Sequence, residues 1–301
     1  MKLDLKNIKD SGSLELLAHQ LVEGFITGLH KSPYHGFSVE FAEHKVYNEG
    51  ESTRHIDWKV YARTDRLFTK RYEEETNLRC LIALDTSASM YYPRETNAKI
   101  RFAKYAAAAL GFLLNKQRDA VGLCLFSDRI ETLTQMKSTP THLDKLLRSL
   151  NDLDSIAPPA RSTNVSSILH EVAEKIHKRS LVVIFSDMFD SDEDTDELFK
   201  ALQHLKHNKH EVIVFHVMDN ETELNFEFEE RPMEFIDLES GDRLALNPGE
   251  VKEHYRREAQ RFHHALKMRC NQYKIDFIEA DVSMDYNVIL QTYLIKRAKM
   301  R

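Results

Sequence analysis

The middle of the chain alternates short apolar runs, rich in β-branched residues, with longer stretches whose apolar positions recur every three or four residues. The apolar runs are LRCLIALD (78–85), AVGLCLF (120–126), SLVVIFSD (180–187), EVIVFHVMD (211–219) and KIDFIEAD (274–281). A strand covered on one face alternates apolar and polar residues. Near-continuous apolar runs predict strands covered on both faces, as in a parallel sheet between helix layers. Residues 97–117, 164–178, 194–207 and 248–272 have helical spacing, and 285–298 predicts a last helix. Strands alternating with helices predict an α/β fold, a mainly parallel sheet flanked by helices. The short run RIETLTQ (129–135) reads as an antiparallel edge strand.

Two regions break this repeat. Residues 1–77 open with an amphipathic helix at about 11–29, then pass into turns and short strands. Their apolar content is too low for an independent core. They are expected to be an N-terminal elaboration packed on a sheet domain that spans 78–301. Residues 220–247 form an insertion in which EFEERPMEFIDLESGDRLAL alternates like a β-hairpin, with its turn at Ser240-Gly241-Asp242.

Composition narrows the class. Hydrophobic residues make up 42% of the 301 and charged residues 30%, as in an ordinary globular protein. The formal charge of -6 is spread over both signs along the chain, which argues against nucleic acid as a partner. No apolar run approaches the roughly 20 residues of a transmembrane segment. The opening MKLDLKNIKD lacks the apolar stretch of a signal peptide. The expected location is therefore cytoplasmic. Cys80, Cys124 and Cys270 are far apart and odd in number, so buried free thiols are expected.

The chemistry gathers at strand ends. Asp85-Thr86-Ser87-Ala88-Ser89 follows a buried strand directly. In an open α/β sheet, ligands collect at the carboxyl ends of strands where the strand order reverses. Alternate residues of an extended loop point the same way, so Asp85, Ser87 and Ser89 can face one point. Thr163 lies in the loop before a helix and Asp187 ends another core strand. Hydroxyls and carboxylates of this kind suit a hard divalent cation, Mg²⁺ or another such as Mn²⁺ or Ca²⁺. Few direct protein ligands leave a coordination position open, and a carboxylate from another molecule is its natural occupant. By itself, D-x-S-x-S after a strand is also a common turn and helix-cap sequence.

The pattern D-x-S-x-S, then a distant Thr, then a distant Asp resembles the metal-ion-dependent adhesion site of von Willebrand factor A domains. The chain as a whole resembles the bacterial family catalogued as domain of unknown function 58, which is von Willebrand factor A-like. The residues that carry this are Glu40-Phe41, Tyr47, Gly50-Glu51, Arg54-His55-Ile56-Asp57-Trp58, Tyr61-Ala62-Arg63-Thr64, Asp85 to Met90, Asp237 and Gly241. Glu51 departs from the family's usual aspartate. The resemblance implies a metal site at Asp85, Ser87, Ser89, Thr163 and Asp187. It also implies an adaptor or chaperone-like role beside a MoxR-type AAA+ ATPase.

Other features have plainer readings. Trp58, with Arg54, Asp57 and Arg63, reads as a buried ring with a local ion pair. His204, His207 and His210, and the pair His263 and His264, read as solvated faces. The acidic run 190–194 reads as a charge cap on the next helix. The competing function is a metal-dependent hydrolase of phosphoesters. Phosphatases with an aspartyl nucleophile place a second Asp two residues on, where this chain has Ser87, and no general base is evident beside Asp85. A binding module is expected in preference to an enzyme.

Overall fold

A computed structural model describes residues 14, 38–46, 56–75, 78–153, 164–188, 195–284 and 289. The helices expected at 11–29 and 285–298 lie outside the described residues, apart from Leu14 and Ile289, as does the acidic run 190–194. The chain divides into two compact units, His30–Leu78 and Met1–Leu29 with Arg79–Arg301.

In the smaller unit β1 (Ser38–Val46) pairs antiparallel with β2 (Phe68–Glu75), with a register shift between Phe41 and Glu43. Between them in sequence lies the short helix α1 (Trp58–Thr64). Asp57 caps it: the carboxylate accepts hydrogen bonds from the Lys59 and Val60 N–H groups at 2.9 and 3.2 Å. Trp58 is 62% exposed and lies edge-on to Tyr61. The expectation of a buried Trp58 is therefore corrected. No residue of α1 is buried, so a ring at its first position gains no core to enter.

The larger unit carries the sheet. Its strands are β3 (Arg79–Asp85), β4 (Ala120–Phe126), β5 (Ile130–Leu133), β6 (Leu181–Ser186), β7 (Glu211–Met218) and β10 (Asp276–Asp281). Their spatial order is β10-β7-β6-β3-β4-β5, parallel throughout except for β5, which runs antiparallel to β4 at the edge. The chain winds outward from β3 in one direction, then returns to β3's other side with β6 and winds the opposite way. The order reverses between β3 and β6. Loops leaving the carboxyl ends of those two strands diverge and leave a crevice.

The helices are α2 (Ala98–Lys116), α3 (Pro140–Asp152), α4 (Val165–Lys175), α5 (Thr195–His207) and α6 (Pro248–Gln272). One sheet face sets Leu81, Ala83, Val182, Ile184, Val212 and Val214 in a single core with Ile168 and Leu169 of α4 and Leu198 and Leu202 of α5. The alternate residues face the other way, where Phe185 stacks on Phe215 at 4.6 Å and meets Phe102 of α2 at 6.4 Å. Burial on both faces explains the unbroken apolar runs. The sequence pattern assigns nothing to 140–152, yet α3 forms there. Pro140 fits the first helical turn, and Leu143, Leu146, Leu147 and Leu150 are buried at helical spacing.

The insertion holds a π-helical turn (Asn220–Leu224) and the hairpin β8 (Met233–Ile236) with β9 (Arg243–Leu246). Gly241 turns the chain at φ +78°, a conformation that favours glycine. The three cysteines are buried and free, and burial pushes the Cys124 and Cys270 thiols up to about 12. The solvated-face reading holds for the exposed His207 and His264 but not for the other three histidines. His210 is buried and accepts from the Ser180 N–H at 3.2 Å; Nδ1 of His204 meets Nδ1 of His170 at 2.9 Å; His263 pairs with Glu279 at 2.8 Å. Helix-surface spacing does not reveal these tertiary partners.

Candidate metal centre

The crevice between β3 and β6 brings together Asp85, Ser87, Ser89 and Asp187. Asp85 is the last residue of β3, and Asp187 follows the last residue of β6. Both side chains are buried. The Ser87 N–H donates to Asp85 Oδ1 at 2.9 Å, the local turn that short acidic side chains favour after a strand. Ser186 Oγ donates to Asp85 Oδ2 at 2.7 Å, so the two central strands are tied through this carboxylate. The hydroxyls of Ser87 and Ser89 lie 2.9 Å apart. Thr86 anchors the loop from behind, its N–H and hydroxyl both donating to the Phe126 carbonyl at 2.7 and 2.9 Å. Thr163 lies outside the described residues.

Two groups that the sequence reading missed complete the charge pattern. Lys99 of α2 is wholly buried and donates from Nζ to Asp187 Oδ2 at 2.8 Å and to Glu223 Oε1 at 2.6 Å. Glu223 comes from the π-helical turn, and its other oxygen accepts from the Asp219 N–H at 2.8 Å. Sequence did hold a signal for Lys99. It occupies the apolar stripe that continues through Phe102, Ala103 and Ala106, where a cation is expensive unless paired. Similarly His216 interrupts the apolar run of β7. Its Nε2 donates to the Asp187 carbonyl at 2.9 Å, and its Nδ1 lies 3.3 Å from Nδ1 of His263.

Among the described residues, the carboxylates of Asp187 and Glu223 share the Lys99 ammonium, and Asp85 lies beside them with hydrogen bonds from Ser186 and Ser87 instead. Burial and the neighbouring Asp187 charge push Asp85 from 3.8 up to about 7. Burial lowers the Lys99 pKa, but Asp187 and Glu223 more than offset it and hold the ammonium charged. Burial raises Glu223 against the opposing pull of Lys99. Burial also takes His216 from 6.5 down to about 4, so it adds no positive charge at neutral pH. Among the described residues, acidic side chains outnumber basic ones in the crevice.

The donor set itself suits a divalent cation. Asp85, Ser87 and Ser89 offer hard oxygen donors at one place, and Asp187 adds a second carboxylate beside them. Among the described residues no three His, Cys, Asp or Glu side chains form a metal-binding group. A cation here therefore depends on hydroxyl oxygens, as hard-cation sites do and zinc sites built on His and Cys do not.

A family model described as "Protein of unknown function DUF58" matches residues 43–265, and the chain belongs to that family. An uncharacterized protein of Mycobacterium bovis is 25% identical over 175 residues, which is 58% of this chain and 55% of the relative. The chain thus matches about half the length of that curated relative. Among solved structures, an aerotolerance-related membrane protein from Bacteroides fragilis aligns at a TM-score of 0.49 and 15% identity, over 75% of this chain and all of that one. Proximal thread matrix protein 1 from the mussel byssus, with a zinc-occupied MIDAS motif, aligns at 0.36 and 15% identity, over 46% of this chain and 37% of that one. The expected cytoplasmic location is corrected, because the Bacteroides structure belongs to a membrane protein. Among the described residues no helix is long and apolar enough to cross a membrane.

Two outcomes follow from the charge pattern. Asp85, raised from 3.8 to about 7, contributes stability that is full below pH 3.8 and lost as pH rises through about 7. His216 acts oppositely, its contribution being present above pH 6.5 and lost as pH falls through about 4. Urea unfolding in EDTA from pH 4 to 8 should therefore show wild type losing stability relative to Asp85→Asn as pH rises; a flat difference contradicts the assignment. Lys99→Met removes the ammonium bonded to the buried Asp187 and the half-buried Glu223 and should cost about 3–5 kcal/mol. An unchanged urea midpoint would contradict the buried pairing.

Proposed function

We propose that this DUF58 protein is a metal-ion-dependent protein-interaction module, in which Asp85, Ser87, Ser89, Thr163 and Asp187 hold a divalent cation, Mg²⁺ or a close substitute. The observation that carries this reading is the buried Asp85 carboxylate, grouped with two seryl hydroxyls and a second carboxylate at the point where strand order reverses. The bound cation would supply Lewis acidity toward a carboxylate of a partner protein. The chain's own residues orient the site: Ser186 and the Ser87 N–H fix the Asp85 carboxylate, and Lys99 fixes Asp187.

Binding is proposed rather than catalysis. His216 is buried, its Nε2–H donates to the Asp187 carbonyl and its Nδ1 lone pair faces His263, so both ring nitrogens are engaged within the protein. The family resemblance supports a MoxR-type AAA+ ATPase as the partner, with this protein as its adaptor.

The test is a pull-down from lysate of the host bacterium on immobilised full-length protein, with Mg²⁺ or with EDTA. An AAA+ ATPase should be retained with Mg²⁺, lost in EDTA, and reduced at least tenfold by Asp85→Ala. Equal recovery by Asp85→Ala and wild type in both buffers contradicts the proposal.

A further inference from the structure

The insertion places an aromatic groove beside the metal centre. The groove has a volume of about 720 Å³ and runs from Ser89 and Tyr92 to Phe228, Phe235 and the hairpin, with Phe226 and Tyr255 also in its lining. Phe226 is the buried centre of the cluster, 4.5 Å from the Tyr255 ring, 4.9 Å from Phe228 and 5.5 Å from Phe235. Phe228 and Phe235 meet edge to face at 5.1 Å and stay half-buried, so part of each ring faces the groove. On the same hairpin Ile236 is 40% exposed and Leu244 61% exposed. Apolar side chains left in water around a concave aromatic site mark a docking surface.

The hairpin side of the groove is acidic. Asp237, Glu239 and Asp242 line it at the hairpin turn. Asp237 is held in its charged form by the Glu239 N–H, with a smaller contribution from Ser240. Such a rim repels phosphate backbones and anionic lipid headgroups and favours a cationic side chain. One groove therefore brings three chemistries together. A carboxylate-seeking metal centre lies at Ser89, apolar rings line the groove, and negative charge stands at the hairpin turn.

We propose that this groove receives an extended peptide segment of the partner protein, with an acidic residue at the metal, a bulky apolar or aromatic residue over Phe228 and Phe235, and a Lys or Arg at the Asp237–Asp242 end. The proposal rests on the metal-dependent binding reading and adds the identity of the recognised sequence. The metal supplies attachment, because any accessible carboxylate can meet it. The aromatic rings and the acidic rim supply the selection among acidic peptides.

A phage-displayed library of random dodecapeptides, selected on the full-length protein in Mg²⁺ and eluted with EDTA, tests this directly. Enriched peptides should combine Asp or Glu with a bulky apolar residue and Lys or Arg in one order. Phe235→Ala should weaken a selected peptide by roughly tenfold or more, as expected for loss of a buried ring contact. Asp242→Lys, on an exposed position that leaves the core intact, should remove the preference for the basic residue while the acidic one persists. Metal-dependent peptides that carry an acidic residue without the other two, or a preference untouched by either variant, overturn the groove proposal and leave the metal reading standing. A library with no metal-dependent binders overturns both. Analytical ultracentrifugation covers the remaining occupant: a dimer that Asp242→Lys dissociates means that a second copy fills the groove, which also overturns the peptide proposal.

Discussion

Buried negative charge at the carboxyl ends of β3 and β6 is the constraint on which the rest of the structure depends. Three acidic side chains come from three elements, and one lysine joins two of them. Carboxylates taken out of water require compensation, by protonation, hydrogen bonds or a cation. Asp85 shows the strain as a pKa raised to about 7, and Ser186 and Ser87 give it hydrogen bonds that only partly relieve it. In the proposed reading, a cation supplied from solution would complete the balance. The parallel sheet and its two helix layers serve this arrangement by keeping water away from strand ends that would otherwise be solvated.

Lys99 also links the candidate metal centre to the insertion. Its ammonium bonds Asp187 on one side and Glu223 on the other, and the chain beyond Glu223 leads into the aromatic cluster and hairpin. The elaboration that departs from the repeating strand-helix pattern is therefore anchored in the charge network of the site. His216 supports the same region from below through the Asp187 carbonyl.

The sheet strands and the acidic and seryl members of the centre were legible because their signals are local. An unbroken apolar run that ends in Asp, as at Asp85 and Asp187, marks a covered strand whose end meets a ligand crevice. The edge strand and the hairpin around Gly241 were legible for similar reasons of alternation and turn chemistry. Lys99 and Glu223 were not, since their pairing joins positions 124 residues apart and depends on how α2 lies against the sheet. The buried His210 and the exposed Trp58 ran against expectation for the same reason: tertiary neighbours, absent from periodicity, decide burial. Helix α3 carries the leucine spacing of an amphipathic helix, but polar residues dominate its segment and mask the pattern.

Binding of a divalent cation at the crevice is the central claim. Crystals of the full-length protein soaked in Mn²⁺ and measured at a wavelength where manganese scatters anomalously test this most directly. The account predicts one strong peak within about 2 Å of side-chain oxygens from the Asp85, Ser87 and Ser89 group, absent from Asp85→Ala crystals. No peak there, or one that persists unchanged in Asp85→Ala, would contradict it.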